Sequence, residues 1–245
     1  MGENRLVKGM VLKAMPIGDF DKRITILTAE NGKINAFVRG ARRQNSAMLA
    51  SSNPFCFGDF ELFEGRNSYT VSKATISNYF RKLTSDFDIV CMGFYFLEFA
   101  DFFCQENNDE QEMLKLLYHS LRVLEVQTFS PAFVRMIFEW RALAVNGIGP
   151  SVFSCMHCGK KTGPFSFSIP KSGIFCKECS KGQKEIRPIS EAALYVLQFI
   201  ATQPLKKLYT FTAREDIQEE LFRLIKNYMD YHVQHTFKSL DMKPL

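Results

Sequence analysis

Four of the seven cysteines fall into two pairs, Cys155-Met156-His157-Cys158 and Cys176-Lys177-Glu178-Cys179, separated by 17 residues. The resulting C-x2-C-x17-C-x2-C pattern has the spacing of a tetrahedral zinc site, in which each pair presents two thiolates from one tight turn. Gly159, directly after the second cysteine, supplies the backbone freedom such a turn uses. Four thiolates leave no open coordination position. A zinc ion on Cys155, Cys158, Cys176 and Cys179 is therefore expected to be structural, supporting a lobe too small to build its own core. The same spacing also fits a reduced metal-free cluster, an iron site or a pair of disulfides. His157 reads as a bystander between ligands, and His232 and His235 share a helical face without a carboxylate at a matching step. Cys56, Cys91 and Cys104 lie in apolar runs, where free cysteine packs as a small hydrophobe.

A second constellation is cationic. Lys33, Arg39, Arg42 and Arg43 cluster at the end of a strand-like run and lead into the polar segment Gln44 to Asn53. Arg23 and Lys73 extend the set, as do Lys22, Arg81 and Lys82. A strand end with a loop is where small barrels of the OB type grip nucleic acid. Arginine matches phosphate geometry, and each neutralised phosphate releases counterions. The same residues would also serve as a plain solvated surface. Phe37, Tyr69 and Tyr79 are available to stack on bases, although an aromatic on a barrel strand more often joins the core. No phosphate loop, nucleophile elbow, zinc-protease histidine pair or deaminase His-x-Glu occurs, so no enzyme is expected.

The elements that must position these groups fall into two patterns. Five short β-branched and aromatic runs, Leu6 to Met15, Arg23 to Thr28, Lys33 to Arg39, Phe55 to Phe63 and Tyr69 to Ser77, predict antiparallel strands, with Asn31-Gly32 as a hairpin turn. After Phe80 helical periodicity takes over. Helices are predicted over Asp86 to Gln105, Asp109 to Val126, Ala132 to Val145 and Glu191 to Ala201, and from a Thr212-x-x-Glu215 capping box to about Phe237. Residues 151–187 lose that periodicity. The expected architecture is α+β: a five-stranded OB-fold barrel over 1–80, for which an SH3-like barrel would look similar in sequence, a helical domain from 81–150 and 188–245, and a four-cysteine zinc module inserted over 151–187.

The chain has 245 residues, 46% of them hydrophobic, with 24 phenylalanines, which is the composition of a packed protein and not of a disordered one. Its charge is segregated. Residues 1–82 carry 13 Lys+Arg against 7 Asp+Glu, residues 83–150 carry 4 against 10, and residues 151–189 carry 7 against 2. Two basic modules thus flank an acidic block, which points to a polyanionic partner. The longest apolar stretch, Ile89 to Cys104, contains Glu98 and Asp101 and is too short to span a membrane. Residues Met1 to Arg5 lack the pattern of a secretory signal, so a cytoplasmic location is expected, and reduced cysteines with it.

The order of parts resembles the RecO family of bacterial recombination mediators over nearly the whole chain. The likeness is carried by Val7-Lys8-Gly9-Met10-Val11-Leu12, by Asp19-x3-Arg23-Ile24 before Leu27-Thr28-x3-Gly32-Lys33, and by Arg39-Gly40-Ala41-Arg42-Arg43 with Ser46. The four cysteines are similar to those of the zinc-containing branch. What the resemblance implies is a nucleoid-associated protein that binds and anneals single- and double-stranded DNA. With RecR it would help load RecA onto gaps covered by single-strand-binding protein. It further implies docking of that protein's acidic C-terminal tail on the helical domain, for which Lys206, Lys207, Arg214 and Arg223 are the candidate cations. An RNA-binding or transcription-associated barrel with a zinc ribbon, or an adaptor that meets only proteins, are the rival functions.

Overall fold

The computed structural model describes residues 4–65 and 68–241. Apolar and polar residues alternate through five strands: β1 Asn4–Ile17, β2 Asp21–Thr28, β3 Lys33–Val38, β4 Phe57–Glu64 and β5 Tyr69–Asn78. They close into a barrel in the order β1-β2-β3-β5-β4, with the one-turn helix α1, Met48–Ser51, between β3 and β4. Every pairing is antiparallel except β3 with β5, which closes the barrel at Ala36↔Tyr69 and Phe37↔Thr70. This is the five-stranded OB arrangement, and closure leaves no sheet edge unpaired.

The inward set, including Val11, Ile24, Ile26, Ile34, Phe60 and Leu62, is buried. Truncating Phe60 to alanine would cost about 3–5 kcal/mol. Gly9 faces Gly58 across the β1–β4 ladder, and a Cβ would come within 2.5 Å of the Leu27 carbonyl oxygen at Gly9 and within 2.2 Å of the Thr75 carbonyl oxygen at Gly58. Only glycine allows the strands to approach that closely where the small barrel coils.

Two helices belong to the same unit: α2, Phe87–Phe103, whose Asp86 cap accepts the Ile89 N–H, and α3, Gln111–Val126. The loop between them clasps the β2–β3 hairpin. Lys33 N–H donates to the Gln105 carbonyl (2.9 Å), Asn107 N–H to that of Asn31 (3.0 Å), and Glu110 N–H to that of Ala29 (2.8 Å). Gly32 sits inside the clasp at φ +60°, where a Cβ would lie 1.9 Å from the Gln105 oxygen. Asp101 of α2 pairs with both Lys13 and Lys33. A late segment completes the unit: Phe237 stacks on Phe99 at 5.5 Å, and the Glu98 carboxylate accepts the N–H groups of Lys238 (3.0 Å) and Ser239 (2.9 Å).

The described parts of 1–128 and 237–245 form one compact unit, and residues 129–236 form a second. The expected division after residue 80 marks the change from strands to helices, whereas packing divides the chain after Thr128 because the clasp and Asp101 fasten α2 and α3 to the barrel.

In the second unit α4, Pro131–Val145, is capped by Ser130, whose hydroxyl accepts the Phe133 N–H. It packs with α5, Glu191–Thr202, and α6, Glu215–His232; Trp140 Nε1–H donates to the Leu197 carbonyl at 2.9 Å. The segment that lacks helical periodicity holds, with the two residues after it, a three-stranded antiparallel sheet, β7-β6-β8, made of β6 Phe165–Ser168, β7 Gly173–Cys176 and β8 Ile186–Ile189. The expected capping box does not form. Helix α6 starts at Glu215 with Arg214 as its cap residue, and Arg214 pairs with Asp216 in the first turn. Among the described residues no helix is long and apolar enough to cross a membrane. Met1 to Glu3, on which the expected absence of a secretory signal rests in part, lie outside the described residues.

Candidate nucleic-acid interface and metal centre

Two sequence segments meet at one end of the barrel. The Arg39–Arg43 turn that follows β3 folds over the β1–β2 connection. Asp21 accepts the Gly40 N–H (2.7 Å), Arg42 N–H donates to the Phe20 carbonyl (2.8 Å), and the Arg42 guanidinium donates to the Gly18 carbonyl (3.1 Å). Arg43 lies over the Phe20 ring, 5.3 Å from its centroid, a cation–π arrangement that orders both groups. Arg39, Arg42 and Arg43 remain exposed, and Phe20 is 52% exposed.

Strand register continues this surface. Met15 pairs with Arg23, and Arg23 pairs with Phe37, so one outward row crosses β1, β2 and β3. Period-two alternation explains the row: Ile34, Ala36 and Val38 point inward, and Phe37 shares the outward parity of Lys33 and Asn35. Phe37 is 37% exposed and does not join the core. The arrangement can hold phosphates on guanidinium groups and bases on rings.

Other candidate cations lie elsewhere or are engaged. Lys33 is held by Asp101, donating also to the Asp101 carbonyl. Lys73 lies on the β4–β5 ladder, paired with Glu61 at 3.3 Å. Lys22 turns toward the segment after α1, donating to Ser52 Oγ (3.2 Å) and Asn53 Oδ1 (2.7 Å); burial lowers its pKa, Cys56 opposes that, and Arg42 adds to it. Arg81 lies over the ring of Tyr79 at 5.2 Å. Sequence reasoning passed over Phe20 and Met15, whose outward positions follow from strand parity and the turn at Gly18.

The four paired cysteines converge. Their sulfurs lie within 4.8 Å of one another, with Cys158 and Cys176 at 3.7 Å. Zinc–sulfur bonds of about 2.3 Å at tetrahedral angles place sulfurs roughly 3.8 Å apart, so this cluster is of a size to hold a metal ion. The first pair is shaped by Gly159 at φ +74°, whose N–H donates to the Cys155 carbonyl (2.9 Å). Met156 N–H donates to Ile174 (2.9 Å) and stitches this turn to β7, which ends on Cys176. Burial pushes the Cys155 thiol up, but N–H groups of Cys158, Cys176 and His157 outweigh it and hold it at about 6. The Cys179 N–H lowers Cys176, while the hydrogen bond with Cys176 raises Cys179 to about 12. Sulfurs that share protons in this way would exchange them for a bound cation. Cys56 and Cys104 are buried, and Cys91 is half-buried.

In the second unit Phe167, Ile169, Leu224 and Tyr231 line a groove of about 480 Å³ with Arg187 and Arg223 among its walls. Two carboxylates also line it: exposed Glu185, and Glu220, which is spent on Ser190, accepting its N–H (2.8 Å) and hydroxyl (2.6 Å). Of the four candidate partner cations only Arg223 lines this groove. Lys206 and Lys207 occupy an exposed turn, and Arg214 is paired with Asp216 at 2.7 Å.

Comparison with known proteins places these features in a family. Residues 3–80 match the family model described as Recombination protein O N terminal, and residues 84–241 match Recombination protein O C terminal. Among curated proteins, the DNA repair protein RecO of Acetivibrio thermocellus is 30% identical over 95% of this chain and 93% of its own length. The proteins of the same name from Bacillus pumilus and Caldicellulosiruptor saccharolyticus are also 30% identical, over 91% and 96% of this chain and 87% and 95% of their own lengths.

Proposed function

The chain belongs to the RecO family, and from that premise we propose that it is a DNA repair and recombination mediator whose barrel binds and anneals single- and double-stranded DNA. The observation that carries this reading is the convergence of Arg23, Arg39, Arg42 and Arg43 with exposed Phe20 and Phe37 on one end of the barrel. Guanidinium groups there neutralise backbone phosphates without reading sequence, and the rings can stack on the face of every base, which suits the annealing of arbitrary strands. No bond-making step is assigned to the chain.

The four cysteines hold a structural zinc ion in this reading, and the basic lobe around it, with Lys160, Lys161, Lys177 and Lys181 exposed, makes phosphate contacts of its own. The groove with Arg187 and Arg223 over an apolar floor suits an acidic peptide ending in an aromatic residue, as in the C-terminal tail of single-strand-binding protein. With RecR, the chain then helps RecA replace single-strand-binding protein at gaps, in the bacterial cytoplasm and on the nucleoid.

The test is a salt titration of binding to fluorescent single-stranded DNA, followed by addition of the complementary strand. Salt-sensitive binding with accelerated annealing is expected. An absence of binding at low salt overturns the reading in favour of an adaptor that meets only proteins, and equal competition by matched RNA moves it to an RNA-binding protein.

A further inference from the structure

Beside β3 lies a cleft of about 500 Å³ whose composition phosphate binding does not explain. It has ample room to admit a nucleobase. Phe37 and Tyr69 contribute aromatic surface, Arg23 stands at its wall, and Asn35 and two carboxylates, Glu64 and Glu106, also line it. A site for phosphate alone would exclude carboxylates.

Those two carboxylates differ. Glu64 is paired with Arg5 at 3.6 Å. Glu106 is exposed and is positioned by Asn35, whose Oδ1 accepts from Thr25 (3.0 Å) and whose Nδ2 donates to Glu106 Oε1 (2.9 Å). An ionised carboxylate only accepts hydrogen bonds and has lone pairs beyond the one Asn35 uses. Cytosine and adenine offer an exocyclic amino donor, and so does guanine at its minor-groove edge, whereas thymine offers a carbonyl in that place.

We propose that this cleft takes one unpaired base against Phe37 and favours bases with an exocyclic amino group through Glu106. Register supplies the link to the backbone: Arg23 is the cross-strand partner of Phe37, roughly 5 Å away at Cβ, so a phosphate on Arg23 brings a base to the ring. In a duplex the face of each base is covered by its stacked neighbours and cannot lie against Phe37, so the cleft selects single strands. The inference rests on the reading of the barrel as a DNA-binding surface.

The experiment compares binding of oligo-dC and oligo-dT of equal length to the full chain by fluorescence anisotropy at one salt concentration. Wild type is expected to bind oligo-dC about fivefold tighter. Glu106→Ala brings the ratio to about one, and Phe37→Leu, conservative at an exposed position, weakens both oligomers about tenfold with an unchanged salt slope. A wild-type ratio of one, or a preference that survives Glu106→Ala, overturns the inference. If salt-sensitive binding persists without base preference, the DNA-binding reading stands and this inference alone falls. If wild type binds neither oligomer, both fall.

Discussion

The barrel and the cysteine lobe carry a similar excess of positive charge, yet they are held together by different means. The barrel closes on itself through five paired strands around a buried set that includes Ile24, Ile26, Phe60 and Leu62. The lobe has strands of four residues each, and its two cysteine turns stand at the margin of that sheet with Cys158, Lys160 and Lys161 exposed. Burial supplies order in the first. In the second the short strands bury Phe167, Ile174 and Phe175, and the two cysteine turns bring four sulfurs to one point, where the proposed metal ion would tie them together. On the proposed reading, similar surface charge is displayed by a scaffold held by its own packing and by one that a bound metal ion would reinforce.

That contrast can be broken or sharpened experimentally, and metal removal gives the largest expected effect. Structural zinc in small modules contributes on the order of 10 kcal/mol, so chelation or Cys155→Ser should abolish hydrogen-exchange protection around residues 155–179 while protection in 4–65 stays. Loss of protection in both regions would erase the contrast. Gly32→Ala comes next. Its Cβ would meet the Gln105 carbonyl at 1.9 Å and its φ is +60°, so a loss of about 2–4 kcal/mol in urea unfolding is expected, with metal content unchanged. A smaller effect would mean that the clasp yields without cost.

Arg42→Ala with Arg43→Ala is expected to flatten the salt slope of DNA binding by about 2, one unit per lost phosphate contact, while the melting temperature changes little. An unchanged slope removes this turn from the interface. The smallest effect is expected for Phe20→Leu, which removes a cation–π contact worth roughly 0.5–1 kcal/mol at an exposed site and should weaken DNA binding two- to fivefold. No change in affinity would show that Arg43 needs no ring to hold it.

Sequence exposed much of this. Alternation located all five barrel strands, and the spacing of Cys155, Cys158, Cys176 and Cys179 anticipated sulfurs that converge. Outward placement of Phe37 was also available from parity, since Ile34, Ala36 and Val38 fix the inward face. What could not be read were contacts made over long sequence separations. Asp101 takes Lys33, 68 residues away in sequence, and Lys22 bends to Asn53, 31 residues on; nothing local marks either lysine as engaged. Strand β6 hid for the opposite reason: Phe165-Ser166-Phe167-Ser168 alternates, but four residues are too few to stand out from a turn-rich segment.

The Phe237–Asp241 segment bears on the order of folding. Glu98 and Lys238 are 140 residues apart in sequence, and the whole of the second unit is encoded between them. During synthesis the barrel and α2 emerge early, but Tyr95 and Phe99 must wait for Phe237 before their faces are covered. Residues 129–236 can therefore fold while the unit made first is still incomplete, and the loop closed by that last contact is among the longest in the chain. The first unit begun is the last one finished.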